Sequence, residues 1–237
     1  MEPDADLAAI GRLLGDPHRA RMLQVLLSGK PQSGSALAEA AGISRALASA
    51  HLKKLTAGGL VRAEASGRQQ LYSIAAEGVA DALEILLLLA PATPVRSLAG
   101  SVRMRSLRWA RMCYDHLGGV LGVAVTETLT ELGAIAEQDG AWVLGPRGTA
   151  VFGGLGIDVA AVPNRTRPLL RPCLDWTERR HHVAGSLGAA LTAELTKRDW
   201  IRRADGSRVV AVTPAGAAGL DAWIGLDLER LKTAAAA

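Results

Sequence analysis

Two stretches in the C-terminal half of the chain are copies of one another, and a duplicated segment folds as repeated units rather than as one irregular domain. Gly118-Gly-Val-Leu-Gly-Val-Ala-Val-Thr-Glu-Thr-Leu-Thr130 aligns with Ala184-Gly-Ser-Leu-Gly-Ala-Ala-Leu-Thr-Ala-Glu-Leu-Thr196 at a constant offset of 66. The register holds through Ile135 and Ile201 and through Asp139-Gly140 and Asp205-Gly206. With a two-residue shift it continues to Pro146-Arg147-Gly148 against Pro214-Ala215-Gly216. With a six-residue shift it reaches back to Cys113-Tyr114-Asp115 against Cys173-Leu174-Asp175. A fainter third copy begins at Leu55. There Leu55-Thr-Ala-Gly-Gly-Leu-Val-Arg, Leu129-Thr-Glu-Leu-Gly-Ala-Ile-Ala and Leu195-Thr-Lys-Arg-Asp-Trp-Ile-Arg each end a helix and lead into a two-stranded segment. Their turns are Ser66-Gly67-Arg68, Asp139-Gly140 and Asp205-Gly206; Gly accepts positive φ, so such turns between β-prone runs signal hairpins. Helix followed by hairpin is the back half of a winged helix, although any helix-to-hairpin transition would give a similar third match.

Prolines divide the chain. Pro91 and Pro94 interrupt a leucine-rich helical pattern, because each removes a backbone donor and disfavours helix in the residue before it. Pro163-Asn164-Arg165-Thr166-Arg167-Pro168 reads as a second connector. The expected units are therefore residues 1–90, 95–162 and 168–232. The expected fold class is mainly α with short β-hairpins (α+β), an N-terminal winged helix-turn-helix followed by two tandem helix-plus-hairpin repeats.

Within 1–90, Ala5 to Leu14 has helical spacing, and Asp16-Pro17 restarts a helix with Asp as N-cap and Pro in the first turn. A short helix over Ser35 to Ala40 breaks at Ala41-Gly42-Ile43, and Ser44 caps a longer helix to Leu55. This is a helix-turn-helix, with Leu37, Ile43, Leu47, Leu52 and Leu55 expected as its small core. Arg45, Ser49 and Lys53 fall at i, i+4 and i+8 on one face of the second helix, where a reader of DNA needs donors for base edges and cations for phosphates. Arg45 is the candidate for a guanine contact and Ser49 for a base edge or phosphate. Ser44 stands at the helix N-terminus; Lys53, Lys54, Arg62, Arg68 and Gln69 complete the candidate DNA-binding set. Charge agrees: the net balance is only +4, yet residues 16–74 carry eight Lys/Arg against Asp16, Glu39 and Glu64.

Taken together, Leu14-Gly-Asp-Pro-His-Arg-Ala-Arg-Met-Leu-Gln-Val-Leu, Leu37-Ala-Glu-Ala-Ala-Gly-Ile-Ser, Ala50-His-Leu-Lys-Lys-Leu-Thr-Ala-Gly-Gly-Leu-Val-Arg and Gly67-Arg-Gln-Gln-Leu-Tyr-Ser-Ile resemble the winged helix-turn-helix of the ArsR (arsenical-resistance repressor) family over about residues 5–90. The resemblance implies a homodimeric regulator, usually a repressor, whose paired recognition helices enter successive major grooves of an imperfect palindrome in double-stranded DNA. It also implies pairing through Ala5 to Leu14 and Ala76 to Leu89, a role that suits the aliphatic run Ile85 to Leu89. Metal-sensing members carry cysteines in the first helix of the motif, or Asp and His on the dimer helix. Here Ser35 to Ala40 holds no thiol and 76–90 holds no His or Cys.

Sensing is therefore expected in the C-terminal half, for a metal or small-molecule effector; the alternative is an architectural DNA-binding protein without a ligand, whose extra lobes only widen its footprint. Both cysteines of the chain occupy equivalent repeat positions, in Cys113-Tyr-Asp115-His116 and in Cys173-Leu-Asp175 with His181-His182 beyond. Cys113, His116, Cys173 and His181 are the candidate ligands for a transition metal such as zinc, the one cofactor that the residues suggest. A thiol-redox pair and plain core cysteines are the alternatives, since Trp109, Met112, Cys113 and His116 would share one face of a helix. Arginines crowd 91–114 (Arg96, Arg103, Arg105, Arg108, Arg111) and the second connector (Arg165, Arg167, Arg171, Arg179, Arg180). They are suited to pairing with Glu127, Glu131, Asp175 and Glu178. Alternatively Arg111, Trp109, Trp176 and Arg179 would frame an effector pocket for an organic anion.

Several classes are excluded or disfavoured. At 49% hydrophobic residues the chain has core material, which argues against disorder. Its longest apolar run, Ile85 to Ala90, falls far short of the roughly 20 residues of a membrane span. An acidic start unlike a secretory signal and the scarcity of cysteine give the expectation of a cytoplasmic protein with no membrane partner. None of the Gly-x-Ser-x-Gly, phosphate-loop, His-Glu-x-x-His or Cys-x-x-Cys signatures occurs, so no enzyme is expected.

Overall fold

The computed structural model describes residues 5–91, 97–163, 167–204 and 207–236. Most of the first proline connector, Asn164-Arg165-Thr166 of the second and the Asp205-Gly206 turn lie outside the described residues. Two compact units are present, one running to Glu84 and one from Ile85.

The first unit contains α1 (Leu7–Leu14), α2 (Pro17–Leu26), β1 (Gln32–Ser33), α3 (Gly34–Ala41), α4 (Arg45–Ala57), β2 (Val61–Ser66) and β3 (Gln69–Ile74); α5 (Glu77–Leu89) begins in it. Helices α1 to α4 each start where the sequence supplies a side-chain acceptor for orphan N–H groups. Asp6 accepts from Ala9 N, Asp16 from His18 N and Arg19 N, Ser33 from Ala36 N, and Ser44 from Leu47 N. Gly42, at φ +67°, ends α3 in the left-handed conformation that makes the tight turn into α4. The wing is the antiparallel β2–β3 pair, from Val61↔Ile74 to Ser66↔Gln69, and β1 pairs with the other side of β3.

The core of this unit is Met22, Leu23, Leu26, Leu37, Leu52, Leu55 and Ile74, all buried. Leu47, expected in it, is 45% exposed. Helix α4 buries Ala48, His51, Leu52 and Leu55, and that stripe turns position 47 outward. Arg19 and His51 are buried polar residues that the apolar pattern does not disclose. Arg19 donates from Nε to Leu13 O and from Nη2 to Arg12 O, both at 2.7 Å. It thus satisfies carbonyls that the end of α1 leaves unpaired.

In the second unit, α6 (Leu98–Trp109) precedes two runs of elements in the same order. The first is β4 (Arg111–Cys113), β5 (His116–Gly118), α7 (Gly119–Glu131), β6 (Ile135–Gln138), β7 (Ala141–Leu144) and α8 (Gly148–Gly154), then a 3-10 turn at Val159–Ala161. The second is β8 (Arg171–Leu174), β9 (His181–Ala184), α9 (Gly185–Lys197), β10 (Ile201–Arg203), β11 (Val210–Val212) and α10 (Pro214–Ile224), with α11 (Leu228–Ala236) at the end. Hairpin, helix, hairpin, helix occurs twice, as the duplication requires.

The exits of α4, α7 and α9 are alike in detail. Leu60 N donates to Leu55 O, Ala134 N to Leu129 O and Trp200 N to Leu195 O. The residue before each donor, Gly59, Gly133 or Asp199, has positive φ. All three helix-to-hairpin turns use the same left-handed cap.

One expectation is corrected. Trp109, Met112, Cys113 and His116 do not lie on one helix: α6 stops at Trp109, and 111–118 is a hairpin reversed at Tyr114, φ +62°. Tertiary pairing overrides the helical spacing, since Met112 N donates to Arg208 O and Val210 N to Ala110 O. The two repeats pack into one core. Leu121, Leu129 and Phe152 from the first and Leu187, Leu195 and Leu220 from the second belong to one core. Among the described residues, no helix is long and apolar enough to cross a membrane.

One hydroxyl stitches the copies together. Thr126 Oγ1 donates to Gly122 O and accepts from Val183 N, each at 2.8 Å. Thr126→Val keeps the shape and leaves the buried Val183 N–H without its acceptor. The expected loss is about 1–3 kcal/mol of unfolding free energy, read as a lower midpoint in urea denaturation; an unchanged midpoint would remove this bond from the account.

Candidate nucleic-acid interface and metal centre

Helix α4 presents Arg45, Ser49 and Lys53 to solvent, as their spacing requires. The buried stripe of Ala48, Leu52 and Leu55 holds the opposite side of the helix in the core. Ser44 spends its hydroxyl on the cap, 3.3 Å from Leu47 N. Between α4, the start of α3 and β3 lies an open groove of about 330 Å³ lined by Ser33, Ser35, Arg45, Ser49, Gln69 and Tyr72, among others. The fold therefore brings Arg45, Ser49 and Gln69 to one polar groove. Ser44, Lys53, Lys54, Arg62 and Arg68 do not line it but are exposed on the same motif, and Arg62 pairs with Glu64 at 3.0 Å. Hydroxyls, an amide and a guanidinium beside a helix that projects from its own core are the donor set that phosphate and base-edge contacts need.

In the second unit, Cys113, His116, Cys173 and His182 meet, all buried, with one candidate ligand atom from each within 4.8 Å of the others. Each repeat supplies one thiol and one imidazole, directly opposed across a hairpin: Cys113↔His116 on β4–β5 and Cys173↔His182 on β8–β9. The Sγ atoms are 3.8 Å apart and form no disulfide. The imidazole rings face each other at 5.1 Å between centroids.

The second histidine is His182, not the expected His181. His181 Cα pairs with Leu174 one step along the hairpin, and its exposed ring stands edge-on to Trp142. Neighbouring strand residues point to opposite faces, so a shift of one moves the imidazole out of the site. The repeat register carried this signal, because the offset of 66 sets His116 on His182.

Each histidine is backed by the aspartate of its own repeat. His116 Nδ1 lies 3.2 Å from Asp115 Oδ1; His182 Nδ1 lies 3.2 Å from Asp175 Oδ2, without the alignment of a full hydrogen bond. On neither ring does Nε2 have a hydrogen-bond partner among the described residues. Burial disfavours charge on His116, but the Cys113 sulfur and the Asp115 carboxylate outweigh it and raise the pKa to about 9. For Asp115, burial is likewise outweighed, here by His116 and Arg167, and its pKa falls to about 2. Asp175 is held well below the ordinary carboxylate range by His182 and Arg111 despite its burial.

Asp175 is the hub behind the cluster. Its Oδ1 accepts from Thr177 N, Thr177 Oγ1 and Glu178 N and lies 2.8 Å from Arg111 Nη2. Its Oδ2 accepts from Gly119 N at 2.7 Å, tying β8 and its loop to the start of α7. Arg111 is fully buried, with its guanidinium 4.6 Å from the Trp176 ring. Of the residues expected to frame an effector pocket, Arg111 and Trp176 are thus joined in an internal ion-pair cluster. Trp109 packs against the core and Arg179 is exposed. Other arginines pair with acids of the unit: Arg108 with Glu178 at 2.9 Å, Arg167 with Asp115 at 2.6 Å, and Arg180 with Glu127. Asp175→Asn strands a buried guanidinium, and its expected cost is on the order of 3–5 kcal/mol, measured by chemical denaturation. Wild-type stability in that variant would show Arg111 to be compensated elsewhere.

Comparison with known proteins agrees with the first unit and extends beyond it. Residues 14–64 match the family described as a helix-turn-helix domain. The uncharacterized HTH-type transcriptional regulator YdfF of Bacillus subtilis is 38% identical over 216 residues, covering 91% of this chain and 95% of that protein. The HTH-type transcriptional regulator CmtR of Mycobacterium tuberculosis is 42% identical over 80 residues, 34% of this chain and 67% of that protein. Among solved structures, the homodimeric winged helix-turn-helix DNA-binding domain of Mb0332 from Mycobacterium bovis, a possible ArsR-family regulator, is similar with 32% identity and a TM-score of 0.33, covering 38% of this chain and 89% of that one. The likeness to YdfF spans both units, repeats included. The chain belongs to the HTH-type transcriptional regulators, with a helix-turn-helix followed by a β-hairpin wing at its N-terminus.

Proposed function

We propose that this protein is a homodimeric, sequence-specific repressor that binds an imperfect palindrome in double-stranded DNA through α4 and the wing, and that its C-terminal unit senses an effector. The observation that carries the reading is the exposed Arg45, Ser49 and Lys53 face of a capped helix whose other side is buried. A helix in that position offers its N-terminal side chains to the major groove while the wing reaches the adjoining backbone. Pairing of two copies is supported by apolar residues left in solvent on α1 and α5, where Leu7 is 80% and Leu89 is 78% exposed. On α5, Ile85, Leu86 and Leu89 are exposed together, and such grouped apolar residues, unlike scattered ones, favour an interaction surface.

The effector class favoured by the cluster of Cys113, His116, Cys173 and His182 is a transition metal such as zinc. The 3.8 Å separation of the two sulfurs also supports a thiol-redox response as a second reading. Either acts by favouring one conformation of the dimer over another, which changes the half-site spacing its two recognition helices can span.

Arg45→Ala is expected to weaken specific binding by about 1–3 kcal/mol and to relax preference at one operator position. Lys53→Ala is expected to weaken all sequences alike and to reduce the salt slope by about 1. Both are read by fluorescence anisotropy on a selected operator and on random duplex at several salt concentrations. Wild-type affinity and specificity in Arg45→Ala would overturn the assignment of α4 as the reading helix.

A further inference from the structure

The cluster of Cys113, His116, Cys173 and His182 has the composition of a closed binding site, and its surroundings say which ion it takes. We infer that it is a four-coordinate centre for a thiophilic d10 dication, zinc(II) in the first instance, to which each repeat contributes one thiolate and one imidazole. This deepens the sensing reading above and rests on it only for the regulatory consequence.

Charge and donor type select the ion. Two thiolates and two neutral imidazoles cancel a dication, leaving a neutral unit where a net charge would be expensive to bury. The adjacent Arg111 and Asp175 cancel each other, at 2.8 Å. The cluster offers sulfur and nitrogen and no carboxylate, which disfavours magnesium and calcium, ions that require oxygen. Four protein ligands leave no open position for substrate or water, the arrangement of a structural or sensing site rather than a catalytic one.

Geometry agrees. Thiolates at about 2.3 Å from a tetrahedral zinc stand about 3.8 Å apart, and the two sulfurs are 3.8 Å apart here. Both Nε2 atoms are buried without a hydrogen bond among the described residues. An unsatisfied buried imidazole nitrogen is costly, and coordination to an ion would satisfy both at once. Asp115 and Asp175 face Nδ1 of the two rings, the outer carboxylates that orient metal-bound histidines and favour the tautomer with its lone pair on Nε2. The backbone makes room as well: a Cβ on Gly118 would stand 3.2 Å from Asp175 Oδ2 and from His182 Cε1.

Neither repeat completes the site alone, so the ion is a staple across the duplication. Its binding stabilises the folded unit in proportion to occupancy.

The test uses the full chain, reduced and stripped of metal, titrated with zinc(II) against a chelating competitor, with cobalt(II) as a spectroscopic substitute and magnesium as control. Wild type is expected to bind a single zinc per chain by mass spectrometry, to give with cobalt(II) the intense visible bands of a tetrahedral thiolate site, to melt higher when loaded, and to ignore magnesium. Cys113→Ser and His182→Ala are expected to lose stoichiometric binding, whereas His181→Ala retains it. Asp115→Asn, a positioning variant, is expected to keep the stoichiometry with affinity lowered about 10- to 100-fold. Folded wild type that takes up no zinc, or that binds it equally well in Cys113→Ser, overturns the site; so does loss in His181→Ala with retention in His182→Ala. Should a ligand variant fail to fold, the wild-type stoichiometry and cobalt spectrum still decide. Operator affinity is measured on the same loaded and stripped samples. Equal affinity in both would overturn the sensing role and leave the metal centre standing.

Discussion

The carboxylate of Asp175 lies at the centre of the second unit with no solvent exposure, accepting from the backbone of its own loop, from the first N–H of α7 and facing Arg111 and His182. A charge so placed is tolerated only when opposite charge and donors surround it. It links the second repeat to the first through Gly119, and Arg111 beneath Trp176 supplies the compensating cation. The rest of the unit is arranged around this constraint: the two hairpins set side by side, the helices that follow them starting at glycines of positive φ, and the paired Cys and His residues turned inward.

Duplication gives this arrangement its near-symmetry and also its differences. Asp115 and Asp175 each stand beside the histidine of their own hairpin, but only Asp175 is fully buried; Asp115 shares its charge with Arg167 nearer the surface. The hairpin of the first repeat reverses in two residues, Tyr114 and Asp115, whereas the second carries a longer loop from Asp175 to Arg180. That loop places Trp176 and Thr177 over Arg111. The longer loop makes one of two equivalent aspartates the hub of a network, while the Cys and His positions on the strands keep the same cross-strand pairing.

Much of the N-terminal unit is legible residue by residue because its signals are local. A cap at Asp16 or Ser44, a left-handed turn at Gly42 and a hairpin at Gly67 each depend on a few neighbouring side chains. The exposed face of α4 follows from helical spacing alone. Leu47 is misleading because an apolar residue next to a buried stripe reads the same whether it falls inside or outside it. The Arg19–His51 contact is invisible to the pattern because it joins α2 to α4, and no periodicity records a polar pair between helices.

For the C-terminal unit, the sequence by itself determined that there are two copies, where their helices and turns fall, and that one Cys-x-Asp belongs to each. Only the tertiary structure decided that 111–118 is a hairpin, since strand pairing with residues near Val210, almost a hundred positions along the chain, outweighs a short helical pattern. The fold likewise decided that both copies share a core and that His182 rather than His181 joins the thiols. The physical reason is the alternation of a strand: adjacent residues face opposite sides, and which side is inward is set by what the strand packs against.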